Sequence, residues 1–235
     1  MNETYKVQVQ GLVDDLKAVF THAGLGGEAG EYRLLTQSFL YKFLNDKFLY
    51  QAKVLDESNT YENLLAMSEE DYDWLLEDIG TSTAWLKPDQ LIETLHRQQN
   101  DPTFYEIFEN TLNQIAIDNN DIFSVHTDGD TAIRLFDERL ITDTISDSSK
   151  RNEVAKAIIN LLARVKFDET IFSQGFDFFS TLFEYMIKDY NKDGGGKYAE
   201  YYTPHSVAKI IADILVGNDQ PSNVRIYDPS AGSGT

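Results

Sequence analysis

Through the first two-thirds of the chain, apolar residues return every three to four positions, a period that suits buried helix faces and not strands. From Glu31 to Gln51 the set Leu34, Leu35, Phe39, Leu40, Phe43, Leu44, Phe48 and Leu49 draws one broad stripe. Gly24, Leu25, Gly26, Gly27 and Gly30 form a flexible approach to it. Lys87-Pro88-Asp89 opens a second helix, with proline pre-set in its first turn. That helix carries Leu91, Ile92 and Leu95 until Asn100-Asp101-Pro102 breaks it. Phe104, Ile107, Phe108, Leu112 and Ile115 make a third stripe, and Val154, Ile158, Leu161, Leu162 and Val165 a further one. Between these two lies a turn-rich stretch, Asp118 to Asp121 and then Asp128-Gly129-Asp130.

Composition narrows the functions open to such a chain. Its 235 residues, 42% of them hydrophobic, suffice for a packed core. No run approaches the ~20 apolar residues of a membrane span, and the start, Met1 to Lys6, lacks a basic-then-apolar signal segment. The expectation is a cytoplasmic protein. Zero cysteines exclude a disulfide framework, a thiolate zinc site, an iron–sulfur cluster and a cysteine nucleophile. The four histidines, His22, His96, His126 and His205, are scattered without ligand spacing, so no metal site is expected from them. Twenty basic against 39 acidic residues leave a net charge of −19. DNA is held by neutralising phosphates with Lys and Arg, so action on DNA requires positive surface from a partner or from elsewhere in the protein. The alternative role of the charge is to keep a soluble protein dispersed.

Phe176 to Tyr190 reads as a helix of high aromatic weight, with Phe176, Phe178, Phe179, Phe183 and Tyr185. Large aromatics at helical spacing belong to a core or domain interface. Gly194-Gly195-Gly196 then breaks the chain into a loop. Thr203-Pro204 supplies an N-cap and a first-turn proline. Val207, Ile210, Ile211, Ile214 and Leu215 follow at helical spacing, and Gly217 ends the helix. Val224-Arg225-Ile226-Tyr227 alternates and is β-rich, and Asp228-Pro229-Ser230-Ala231-Gly232-Ser233-Gly234 comes straight off its end. Helix, short loop, strand and glycine turn make the opening of a doubly wound α/β sheet.

A glycine turn at the end of a first strand lets backbone approach a ligand and aim N–H groups at a carboxylate or phosphate. A dinucleotide site would show G-x-G-x-x-G. Gly232 and Gly234 supply two of those glycines, while the third position falls beyond Thr235, so that pattern stays open. A tight strand-to-helix turn without ligand is the plain alternative. Asp189-Tyr190-Asn191-Lys192-Asp193-Gly194, with Glu200 six residues after that glycine, matches the spacing of an EF-hand calcium loop. Against calcium stand Gly196 at the position of the pairing aliphatic residue and a helix that starts only after Glu200. No second loop exists to pair with it, so no bound metal is expected.

Glu200-Tyr201-Tyr202-Thr203-Pro204-His205 and Asp228-Pro229-Ser230-Ala231-Gly232-Ser233-Gly234 together resemble the adenine-N6 DNA methyltransferases, specifically the modification subunit of type I restriction–modification systems. The segment Gly175 to Ile187 looks like the approach to that family's catalytic domain, and an all-helical amino-terminal region also fits. The resemblance implies a mainly α fold. An N-terminal helical domain (1–165) and a connecting helix with its glycine-rich loop (166–199) would precede the start of a Rossmann-like α/β class I methyltransferase domain (200–235). It further implies that Glu200, Tyr201, Tyr202, Thr203, Pro204 and His205 line a pocket for S-adenosyl-L-methionine together with Gly232, Ser233 and Gly234, with Asp228 beside the cofactor's amino group. The N–H groups opening the Pro204 helix and the Thr203 hydroxyl suit the cofactor's carboxylate. Implied too are methyl transfer to adenine N6 after base flipping, and work on DNA beside a specificity and a restriction subunit.

The family's catalytic Asn-Pro-Pro-aromatic element is absent. The prolines stand at Pro88, Pro102, Pro204, Pro221 and Pro229, none in that form, so no catalytic residue is assigned. The chain stops in mid-turn, and the expectation is the front part of a longer enzyme, inactive by itself. Two other functions remain open: an acidic helical interaction module without chemistry, and a nicotinamide enzyme. An Asn-Pro-Pro-aromatic element further along the parent gene selects the first reading. A stop codon there selects the second; a third glycine with a ribose-binding acid selects the third.

Overall fold

The computed structural model describes residues 2–27, 29–120, 134–167, 169–173, 205–216 and 227. The chain divides into two compact units, Met1–Phe176 and Asp177–Thr235. In the first, the described residues form α1 (Asn2–Ala23), α2 (Ala29–Leu55), α3 (Tyr61–Ala66), α4 (Glu69–Ile79), a 3-10 turn (Pro88–Gln90), α5 (Ile92–Gln98), α6 (Phe104–Asp118), α7 (Leu140–Thr144), α8 (Ser148–Arg164) and α9 (Glu169–Ser173). The second contributes α10 (His205–Val216). Among the described residues there is no strand, which bears out a mainly helical chain. Residues 224–226 of the expected strand and all of Phe176 to Tyr190 lie outside the described residues.

Two helices organise the first unit. The 27-residue α2 buries Leu34, Leu35, Phe39, Tyr41, Leu44, Phe48 and Ala52, which point to several sides of its axis and reach α1, α4, α7, α8 and α9. Helix α8 buries Val154, Ala155, Ile158, Ile159 and Leu162 against α1, α5, α6 and α7. Asp147 caps it, accepting a hydrogen bond from the Ser149 N–H at 3.0 Å. Helix α1 was not among the expected elements. Yet Val9, Leu12, Val13, Leu16 and Phe20 hold helical spacing and are almost completely buried. It closes with a glycine motif: the Leu25 N–H donates to Phe20 O (2.9 Å) and the Gly24 N–H to Thr21 O (3.0 Å), while Gly24 takes a φ of 96°.

The glycine approach to α2 is tighter than expected. Gly30 lies inside the first turn of α2, and a Cβ there would stand 2.7 Å from the Thr144 methyl of α7. The Glu31 carboxylate, buried in the same turn, accepts the Gly27 N–H at 2.7 Å.

The helix expected to open at Lys87 is split. Pro88–Gln90 is a 3-10 turn, Leu91 is extended (φ −74°, ψ 143°), and only Ile92–Gln98 is α-helical. Side chains of α2 take the backbone groups freed at the break. Tyr41 Oη donates to Gln90 O at 2.6 Å, and Asn45 Oδ1 accepts the Ile92 N–H at 2.9 Å. Upstream, buried Asn119 accepts the Trp85 N–H (2.6 Å) and donates to Trp85 O (2.8 Å), and Tyr72 Oη donates to Leu86 O (2.6 Å). These bonds satisfy the backbone of an irregular stretch that is partly buried.

Candidate functional site

Of the residues expected to line a cofactor pocket, His205 is described as the first residue of α10. Glu200, Tyr201, Tyr202, Thr203, Pro204, Asp228, Gly232, Ser233 and Gly234 lie outside the described residues, as does the calcium-like stretch from Asp189 to Glu200. Helix α10 spans His205–Val216, within the helix expected to open with Pro204 in its first position and to end at Gly217; Pro204 and Gly217 themselves lie outside the described residues. A helix start leaves first-turn N–H groups without intrahelical acceptors and carries partial positive charge. At the start of α10 that chemistry suits an anionic group.

The flank of α10 is apolar. Ile210, Ile211, Ile214 and Leu215 are between 49% and 80% exposed, and Tyr227 is 89% exposed. An exposed apolar face of this extent suits packing against another surface.

The first unit also holds a buried ionic knot that no sequence pattern marks. Lys42 and Asp46 stand one turn apart on α2, both buried, with Lys42 Nζ 2.8 Å from Asp46 Oδ2. Asn45 Nδ2 donates to Asp46 Oδ1 at 2.8 Å, and the Phe167 N–H donates to Asp46 Oδ2 at 2.8 Å. The Lys42 ammonium also lies 5.5 Å from the centre of the Phe167 ring. Burial holds the lysine below its ordinary pKa, opposed by the neighbouring Asp46 carboxylate. Since each Asp46 oxygen has a partner, the knot fastens the stretch after α8 to α2 and leaves no free group for chemistry. In sequence, Lys42 and Asp46 look like an ordinary surface pair at i,i+4; only the packing around them shows otherwise.

Two grooves between α1 and α8 measure about 320 and 290 Å3. The first places Asp15 near Arg164 and Lys166; the second holds His22, Lys150 and Glu153. Neither pairs two carboxylates or sets a nucleophile beside a base. Among the described residues no three His, Asp or Glu side chains converge to hold a metal ion. No described helix is long and apolar enough to cross a membrane.

Residues 174–235 match the family model described as N-6 DNA Methylase, a span containing both Thr203-Pro204 and Gly232-Ser233-Gly234. More particularly, 215 residues are 25% identical to the type I restriction enzyme MpnII methylase subunit of Mycoplasma pneumoniae (strain ATCC 29342 / M129 / Subtype 1). That alignment covers 87% of this chain and 37% of the relative, so the chain spans little more than a third of the curated relative's length. The resemblance to type I modification subunits and N6-adenine methyltransferases therefore rests on an N6 methylase family model and on a relative named as a type I methylase subunit. No solved structure matches the chain.

Proposed function

We propose that the chain is the amino-terminal part of a type I modification subunit that transfers a methyl group from S-adenosyl-L-methionine to adenine N6 in DNA. On this reading residues 1–165 are the helical domain, 166–199 the connection, and 200–235 the opening helix and strand of a Rossmann-like methyltransferase domain. The observation that carries it is the N-6 DNA Methylase match over 174–235. The start of α10 at His205, directly behind Thr203-Pro204, supports it, because its open N–H groups suit the methionine carboxylate of the cofactor. The apolar flank of α10 supports it too, being what a helix laid on a sheet needs.

Within that domain, Glu200, Tyr201, Tyr202, Thr203, Pro204 and His205 form one wall of the cofactor pocket. Gly232, Ser233 and Gly234 form the turn beneath it, with the Asp228 carboxylate at the cofactor's amino group. The cofactor supplies an electrophilic methyl on a sulfonium; these residues bind and orient it. Asn-Pro-Pro-aromatic is missing from the 235 residues, so the acceptor for the flipped adenine lies in another part of the enzyme. The acidic chain leaves DNA reading to a specificity subunit, with a restriction subunit completing a cytoplasmic complex.

The test uses the polypeptide of the complete gene. S-adenosyl-L-methionine is expected to raise its melting temperature, and Gly232→Asp to abolish the rise, because a side chain and a negative charge enter where backbone meets the cofactor. With its specificity subunit it is expected to label adenine N6 from tritiated cofactor. Absence of the shift in the unaltered protein, or a shift indifferent to Gly232→Asp, overturns the reading.

A further inference from the structure

We propose that the outward face of α4 is a docking surface for an arginine- or lysine-rich segment of another polypeptide. Between Lys53 and Lys87 the chain carries nine acidic residues and no basic one. Six of the nine lie on α4: Glu69, Glu70, Asp71, Asp73, Glu77 and Asp78. Tyr72, Leu75, Leu76 and Ile79 are buried, and α4 packs on α2, which sets the helix's rotation. The opposite face presents Glu70, Asp73, Glu77 and Asp78 to solvent, and in their midst Trp74 with 61% of its surface exposed. Glu70 precedes Trp74 by four residues, while Glu77 and Asp78 follow it by three and four, so three carboxylates border the indole.

This face is costly to the helix that bears it. Glu70, Asp73 and Glu77 repel one another at three- and four-residue spacing. Glu77 and Asp78 occupy the last turn, where the helix dipole favours cations and α4 has none. Neither a described arginine nor a described lysine forms an ion pair with these four carboxylates. The two cations that follow α4 most closely in sequence are committed elsewhere: Lys87 to Asp118 (3.1 Å), and Arg97 to Glu62 (2.6 Å) and Glu93 (3.6 Å). Among the described residues the face is therefore an unneutralised array around an exposed indole.

The chemistry selects the occupant. The carboxylates are strung along a helix face about 10 Å long between Glu70 and Glu77, and no three of them converge on one point to hold a metal ion. Phosphate backbones are repelled, and so is a second copy of this chain at −19. A guanidinium stacks on an indole while donating to neighbouring carboxylates, and a run of such groups matches the array. The inference is independent of the methyl-transfer reading.

Fluorescence anisotropy with the full chain tests it. The probes are a labelled alanine-based peptide bearing arginines at three- and four-residue spacing, its glutamate counterpart, and a duplex oligonucleotide, all at physiological ionic strength. The arginine peptide is expected to bind saturably, and the glutamate peptide and the duplex not to bind. Trp74→Ala, and separately the triple variant Glu70→Gln, Asp73→Asn, Glu77→Gln, should each weaken binding by roughly tenfold or more. Neutralising Glu106, Glu153 and Glu169, three exposed acids away from α4, should leave it unchanged. The α4 triple variant removes like-charge repulsion but also the favourable dipole contact of Glu70 in the first turn, so its melting temperature should stay close to the parent's, and measuring it beside the binding separates loss of binding from unfolding. No saturable binding, equal weakening by both triple variants, or indifference to Trp74→Ala overturns the proposal.

Discussion

Asp46 shows how much one residue can carry in this protein. It neutralises a buried lysine and accepts hydrogen bonds from Asn45 and from the backbone of Phe167, more than a hundred residues away in sequence. Asp46→Asn keeps the shape and removes the charge, leaving Lys42 unpaired in an environment that already lowers its pKa. Breaking a buried pair from one side costs about 3–5 kcal/mol, and urea unfolding of the variant should show a loss of that order. Lys42→Met combined with Asp46→Leu should recover much of it, because two charges then leave the interior together. A double variant no more stable than Asp46→Asn would show that the hydrogen bonds, not the charges, hold the knot. None of this was legible in the sequence, where burial of an i,i+4 ion pair leaves no mark. The cap residue Asp147 and the closing Gly24 are different. Their roles are local and follow from chemistry carried in the adjoining few residues.

At the scale of elements, a helix made its presence known more readily than its neighbours did. The stripes of α2, α6 and α8 were legible because apolar spacing reports a buried face directly. The break at Leu91 was not, because Tyr41 and Asn45, which take its freed backbone groups, stand some fifty residues away. Gly30 gives a test of such long-range constraint. In an isolated helix Gly30→Ala would gain about 0.5–1 kcal/mol. Here the new Cβ meets the Thr144 methyl at 2.7 Å, and the crossing of α2 with α7 must open to admit it. A net destabilisation of roughly 1–3 kcal/mol is expected by chemical denaturation. Gly30→Ala with Thr144→Ser, which removes that methyl, should restore stability to at least the parent level; failure to do so would place the clash elsewhere.

At the scale of the whole molecule, the division at Phe176 separates a helical body with its own core from a second unit whose described helix leaves Ile214 and Leu215 largely open to solvent. Residues 1–176 are therefore expected to fold alone, unfolding by heat in one cooperative transition with little change in midpoint from the same transition in the full chain. A broad, non-cooperative melt of 1–176 would show that its core needs the second unit. For the candidate site, what was legible was local: an apolar helix over His205–Val216, within a stretch of sequence that matches an N6 methylase family model.

The sequence by itself determined the helical character of the first unit, the helix over His205–Val216 and the resemblance to N6-adenine methylases. Each depends on periodicity or on residues adjacent along the chain, and short-range sterics and hydrogen bonding act at that range. Only the tertiary structure decided that Lys42 and Asp46 are core residues, that the stretch opening at Lys87 is two elements, and that α4 turns Trp74 and its carboxylates outward. Those outcomes depend on which helix lies against which. That is fixed by contacts between residues tens of positions apart, where no local pattern records the partner.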